Sequence, residues 1–187
     1  SKLAKCALDA LKSSKDQFFA AGTEYSDISK ETHTTFCTGI FAEFDHVADG
    51  IKLGDLMGAV VVELDGARLT KLLSDRAGMG STGQVYVMGS DGFLRSDFSI
   101  NSEKFNSLNA YKNNITIKNQ IIDDVNKNKN SDNLILINPN GNEVVASYFT
   151  IDVDSDKWIV VAEKETSEIL EPIHAFLKNI ILISLVV

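Results

Sequence analysis

The chain has 187 residues, 44% of them hydrophobic and 24% charged, and a formal net charge of −8. That composition is globular and provides for one full core or two small ones, which excludes a disordered chain. The acidic balance excludes a nucleic-acid partner, because phosphate binding runs on clustered Lys and Arg.

Residues 2–20 carry Leu3, Ala7, Leu8, Ala10, Leu11, Phe18 and Phe19 near the i, i+3, i+4 spacing of an amphipathic helix, with Ala21-Gly22 as its end. Cys6 and Cys37 stand apart from any CxxC pair, so neither zinc nor a redox dithiol is indicated. The reading favours two buried free thiols, with a disulfide in an oxidising compartment as the alternative. Residues 35–44 and 57–64 are rich in β-branched and aromatic side chains and read as adjacent antiparallel strands. A helix follows over 66–75, with Asp65 as its N-cap, Leu69, Leu72 and Leu73 on its inner face, and Gly78 beyond its end.

Gln84–Met88 and Phe93–Phe98 flank Gly89-Ser90-Asp91-Gly92, and Asp-Gly is a strong hairpin signal because both residues tolerate positive φ. Alternation puts Gln84, Tyr86 and Met88 on one face, and Val85 and Val87 on the other. Residues 99–114 form a polar excursion anchored by Phe105, Leu108 and Tyr111, and residues 117–126 place Ile117, Ile121, Ile122 and Val125 at helical spacing. Strands over 134–138, 143–151 and 157–163 are separated by turns at 139–142 and 152–156. A last helix begins near Thr166, bends at Pro172 and runs into an apolar end whose final eight residues hold one polar side chain, Ser184. A spanning helix needs about 20 apolar residues, so this run reads as the first half of one, with a buried terminal helix as the alternative. The chain thus reads as part of a longer protein.

The element order predicts an α+β fold in which residues 80–163 form a five-stranded antiparallel sheet with flanking helices, preceded by a partial second module. The stretch Gly80-Ser-Thr-Gly-Gln-Val-Tyr-Val87, continuing through Asp91-Gly92 to Arg95-Ser-Asp97, resembles the membrane-proximal module of PAS-like, Cache-type extracytoplasmic sensors of bacteria. Gly58-Ala-Val-Val-Val-Glu63-Leu64 is similar to the end of a membrane-distal Cache module. The resemblance implies four parts: 1–65 as the C-terminal part of a distal module, 66–79 as a linking helix, 80–163 as the proximal module, and 164–187 as an exit helix leading into a membrane segment. It further implies the ligand-sensing domain of a transmembrane receptor on the periplasmic side of the inner membrane. A methyl-accepting chemotaxis protein, homodimeric in the full receptor, is the first expectation. A sensor kinase, a nucleotide cyclase receptor and a soluble α+β binding or scaffold protein are the alternatives.

No nucleophile elbow, His-Glu-x-x-His motif or phosphate-cradling loop is present, so the chain reads as a binding module rather than an enzyme, with no cofactor. His33, His46 and His174 are scattered and read as surface histidines. Asp152, Asp154 and Asp156 alternate as in a calcium loop, but Lys157 stands where that loop needs Gly, so no metal site is expected. Ligand contacts are expected from polar groups on apolar strands, which burial forces to find partners: Tyr86, Arg95, Asp97 and Tyr148. Arg95 and Asp97 share a face of the expected strand, where a guanidinium fork suits a small carboxylate or amino acid. The competing reading is an ion pair of Arg95 with Asp97 or with a carboxylate of the excursion. The Cache resemblance adds Glu63, at the place where amino-acid-binding relatives carry an acid for the ligand amine. It also implies a pocket between the sheet and the excursion.

Overall fold

The computed structural model describes residues 2–153 and 156–186. Helix α1 (Lys2–Ala10) leads into strands β1 (Phe18–Ser26), β2 (Glu31–Phe41) and β3 (Leu56–Asp65), which form an antiparallel sheet in that order. Helix α2 (Gly66–Leu73) then crosses to a second sheet, built from β4 (Gln84–Gly89), β5 (Ser131–Ile137), β6 (Glu143–Val153) and β7 (Asp156–Glu165) in the order β4-β7-β6-β5. Helices α3 (Ser107–Lys112) and α4 (Gln120–Asn126) lie between β4 and β5, and α5 (Thr166–Val186) leaves directly from β7.

The N-terminal helix is half the expected length. Ser13 Oγ donates to the Ala10 carbonyl at 2.7 Å and closes the helix, and Asp16 turns the chain at φ 65°. Phe18 and Phe19, in phase with the helix by spacing alone, instead begin a strand whose partner is β2. Gly22, expected to end the helix, is the site of a β-bulge: the register shifts between Ala20 and Gly22, and φ is +78°. Cys6 and Cys37 are joined in a disulfide, which corrects the expectation of free thiols and pins α1 to β2.

Among the described residues the expected five-stranded sheet has four strands. Residues 93–96 follow the free edge of β4 without becoming a strand: Gly89 N donates to Phe93 O at 2.9 Å, and Arg95 N to Val87 O at 2.8 Å. Met88 and Leu94 make a single bridge. Ser96 Oγ then accepts from Val87 N at 2.8 Å, so a side chain takes the donor that a continuing ladder needs.

The main core lies on one face of the second sheet. Tyr86, Met88, Val144, Ala146, Tyr148, Ile159 and Val161 point into it, and Ile121 and Val125 of α4 with Phe98 cover it. The other face meets the first sheet. There Trp158 and Val87 join Ala20, with Phe36 and, from α2, Leu69 and Leu73 against them. Phe36 and Trp158 meet edge to face at a centroid distance of 6.3 Å. Asp65 caps α2 as expected, accepting from Arg68 N at 2.6 Å, but Leu72 is 76% exposed rather than inward. Leu108 is likewise 37% exposed, and Ala110 and Ser107 are the buried residues of α3. Pro172 lies inside α5, whose Ile173, Phe176, Leu177, Ile180, Ile181 and Ile183 are exposed. Among the described residues no helix is long and apolar enough to cross a membrane. Of the acidic turn at 152–156, Asp154 and Ser155 lie outside the described residues.

Replacing Trp158 by Ala should lower stability by about 3–5 kcal/mol, because it empties the joint between the sheets. Urea unfolding followed by far-UV circular dichroism reads the loss, and an unchanged midpoint would contradict this packing.

Candidate functional site

The sequence-predicted residues do not converge on one pocket. Arg95, 3% exposed, points along the turn that precedes it. Its Nη2 donates to Asp91 Oδ2 at 3.0 Å and to Asp156 Oδ2 at 2.8 Å, and its Nη1 to the Tyr111 hydroxyl at 2.5 Å and to Phe93 O at 3.1 Å. Both terminal nitrogens of the guanidinium are therefore engaged by protein groups, while its Nε is buried without a partner among the described residues, and the ion pair is with Asp91 and Asp156 rather than with Asp97. Gly89 makes room for it, since a Cβ there would collide with Arg95 Nη2. Burial works to lower the Arg95 pKa, and Tyr111, Asp91 and Asp156 together lift it above its ordinary value. Burial pushes the Tyr111 phenol up to about 12 against the lowering effects of Arg95 and of Thr23 on β1.

Asp97 lies elsewhere because the chain has left the sheet edge at Ser96. Its Oδ1 accepts from Ser107 N at 2.8 Å and from Ser107 Oγ at 3.0 Å, and its own N donates to Thr70 Oγ1 at 2.8 Å. It fastens α3 to α2 at the joint between the two units, beside Gly66, where a Cβ would fall 2.8 Å from both Ser107 Oγ and Thr32 Oγ1. Tyr148 is 2% exposed in the main core, and its hydroxyl has no hydrogen-bond partner among the described residues. Glu63 is exposed on β3, at the edge of the first sheet, and joins none of these groups.

Tyr86 belongs to a buried polar cluster centred on Glu163. Glu163 Oε1 accepts from Gln84 Nε2 and from Asn138 Nδ2, each at 2.9 Å, and Oε2 accepts from the Tyr86 hydroxyl at 3.2 Å. Gln84 Oε1 in turn accepts from Ile100 N at 3.1 Å. Burial, then the neighbouring Glu163, holds the Tyr86 phenol well above its ordinary pKa. Glu163 was not expected, although its phase carried a signal: it shares a strand face with Ile159 and Val161, both fully buried.

Glu168, in the first turn of α5, was also missed. Its carboxylate accepts from Ser81 N at 3.0 Å, Thr82 N at 2.8 Å and Thr82 Oγ1 at 2.5 Å, and meets Lys164 Nζ at 3.2 Å. Thr82 Oγ1 also accepts from Glu165 N at 3.2 Å. Gly80, at φ +75°, admits the carboxylate, since a Cβ there would collide with Glu168 Oε1. Arg76 braces the same loop through Gly83 O at 2.9 Å and Ser81 O at 2.7 Å. The Gly80-Ser-Thr-Gly83 motif is thus a socket for the start of the exit helix.

A cavity of about 320 Å³ lies in the second unit between the 104–119 segment and the end of β5. Leu94, Phe105, Ala110, Ile117 and Ile137 supply apolar wall, and Lys104, Lys118, Asn119 and Asn138 the polar groups. A pocket between sheet and excursion was expected, with Tyr86, Arg95, Asp97 and Tyr148 in its lining; none of the four is on the wall of this cavity, and Asp97 lines a second one, about 330 Å³, with Thr32, Gly66 and Ser107. Among the described residues no group of three or more His, Cys, Asp or Glu is placed to hold a metal.

Two sheets joined through a linking helix, with an exit helix socketed on the second, make a fold that this chain shares with several solved structures. The periplasmic sensory domain of the Campylobacter jejuni chemoreceptor Tlp1 superposes with a TM-score of 0.60 at 14% identity, over 90% of this chain and 57% of that one. The ligand-binding domain of the Campylobacter jejuni chemoreceptor Tlp3, in complex with 4-methylisoleucine, gives 0.55 at 13% identity, over 88% and 53%. The extracellular domain of mmHK1S-Z3, assigned as a histidine kinase, gives 0.54 at 12% identity, over 86% and 53%. The chain therefore spans little more than half the length of the sensory domains it matches. No family model matches the sequence, and neither does any curated protein.

Two outcomes follow from the buried groups. Arg95→Lys keeps the charge but loses the fork, and should cost about 2 kcal/mol of stability through the lost charge-assisted hydrogen bonds; denaturant titration measures it. The Glu168 carboxyl is held below its ordinary value of 4.5, chiefly by the Thr82 hydroxyl and then by the Thr82 and Ser81 amides. A depressed carboxyl contributes stability that is full above its unfolded pKa and lost as pH falls through the folded one. Glu168→Gln should therefore melt lower at neutral pH and lose less on acidification below about pH 4.5, as read by melting temperature against pH.

Proposed function

We propose that this chain is the extracytoplasmic ligand-sensing part of a transmembrane receptor, of the chemoreceptor type first and of the sensor-kinase type second. The observation that carries the reading is the shared fold with the Tlp1 sensory domain over 90% of this chain. The disulfide between Cys6 and Cys37 supports placement in an oxidising compartment. The apolar end of α5 supports a membrane anchor beyond it, and a homodimer is the receptor assembly that we assign to it. A small organic ligand, an amino acid or carboxylate, is the class that the neighbours' bound molecules suggest, 4-methylisoleucine in Tlp3 among them.

The output in this reading is conformational. A ligand that binds one arrangement of the second sheet better than another shifts the population of the two, and the exit helix reports the shift. Its route runs through β7, which carries Glu163 in the core and passes straight into α5, and through the socket that holds Glu168.

The test is a panel of amino acids and carboxylates screened by melting temperature on the 187-residue chain, then in the membrane receptor fused to a kinase-coupled reporter. A true ligand at about 100 times its Kd should stabilise the chain by about 2.7 kcal/mol and change the reporter output. Binders that leave the reporter silent in every case would overturn the receptor reading.

A further inference from the structure

Asn140-Gly141 is the only Asn-Gly pair in the sequence, and it forms the tip of the turn between β5 and β6. Gly141 is exposed at φ +88°, and a Cβ there would meet nothing within 4 Å, so no side chain screens its main-chain nitrogen. The Asn140 side chain is polarised by a neighbour: its Oδ1 accepts from Asn101 Nδ2 at 3.1 Å. Both asparagines line an open cavity of about 550 Å³ with Glu103 and Lys104, which gives water access to the pair. The same turn is fastened to the core through Asn138. Asn138 Oδ1 accepts from Asn140 N at 3.0 Å and Asn142 N at 3.1 Å, and its main-chain O accepts from Gly141 N at 2.8 Å. Asn138 Nδ2 then donates to the buried Glu163 at 2.9 Å.

We propose that Asn140 is a site of spontaneous covalent modification, converted to isoaspartate through attack by its own chain. Gly141 N gives its proton to hydroxide, leaves its hydrogen bond to Asn138 O and attacks Asn140 Cγ. Donation from Asn101 Nδ2 stabilises the negative charge that develops on Asn140 Oδ1. The Cγ–Nδ2 bond breaks, and the amide nitrogen takes a proton from water and leaves as ammonia. Water then opens the cyclic imide at either carbonyl, giving aspartate or isoaspartate. One water is consumed and one ammonia released, with no change of oxidation state. In isoaspartate the main chain runs through Cβ and Cγ, so the turn gains a chain atom and a carboxylate. Its hydrogen bonds to Asn138 no longer fit together, and the amide that reaches Glu163 belongs to that residue, so the modification loosens the tie between β5 and β7. This inference goes beyond the sensor reading above and does not rest on it.

Peptide mapping by mass spectrometry of the folded 187-residue chain held at mildly alkaline pH, with enzymatic methylation to detect isoaspartate, tests it. Asn140 should convert at least tenfold faster than Asn101, Asn106 and Asn130, each of which precedes a serine. Asn101→Gly suits the φ of 59° at that position and removes the amide donor. It should melt like the parent and slow the conversion of Asn140 several-fold in the folded chain, but not in the chain unfolded by urea. Converted chain isolated by ion exchange should melt below the parent, whereas Asn140→Asp, which adds the charge without the extra chain atom, should melt close to it. Conversion of Asn140 no faster than that of the other three, a folded-state rate indifferent to Asn101→Gly, or converted chain that melts like Asn140→Asp would overturn the proposal.

Discussion

The contact of Trp158 with Phe36 is the joint on which the two sheets depend. Each sheet has one face that must be buried, and neither unit has enough elements of its own to cover both faces of its sheet. Trp158 comes from β7, a strand paired on both sides in the second sheet, while Phe36 comes from β2, the centre of the first. Its indole N–H donates to Asp156 at 3.2 Å, and the same carboxylate oxygen accepts from Arg95. The apolar joint and the buried ion pair are thus held by one oxygen. In the first sheet Thr23 and Thr34 share a buried hydrogen bond of 2.7 Å.

Two buried polar side chains, Arg95 and Glu163, are held in different ways. Arg95 has two carboxylates, a phenol and a carbonyl on its terminal nitrogens, while its Nε is buried without a partner among the described residues. Glu163 has three neutral donors and no cation among its described hydrogen-bond partners. A buried ion costs several kcal/mol to desolvate, and hydrogen bonds of good geometry offset this only when every lone pair is engaged. Asn138 therefore holds a central place: one side chain walls the cavity and completes the shell of Glu163. That amide links the end of β5 to β7.

The socket for α5 gives the same strand a second hold. Glu165 and Glu168 both bond to Thr82, one through its main-chain N–H and the other through its carboxylate. A movement of the helix start relative to the 80–83 loop must break this set together, because both glycines flanking Ser81 and Thr82 admit no side chain without a clash.

The sequence by itself determined the elements whose local signals agree with their packing. Asp65 as a helix cap, the alternation of Tyr86 and Met88 against Val87, the helix anchored by Ile121 and Val125, and the three closing strands were legible because propensity and burial point the same way. Where two patterns overlap, only tertiary structure decided. Phe18 and Phe19 fit helical spacing, and pairing with β2 makes them a strand; Cys6 and Cys37 fit either thiols or a disulfide, and the approach of α1 to β2 makes them one. The site was the least legible part. Arg95 and Asp97 share a face only while the strand continues, and one hydroxyl, that of Ser96, ends it by taking the Val87 amide. Glu163 could be read from its phase with Ile159 and Val161. The cavity wall could not be read in this way, because Leu94, Asn119 and Asn138 are brought together from separate segments by the fold, and no spacing in the chain records their proximity.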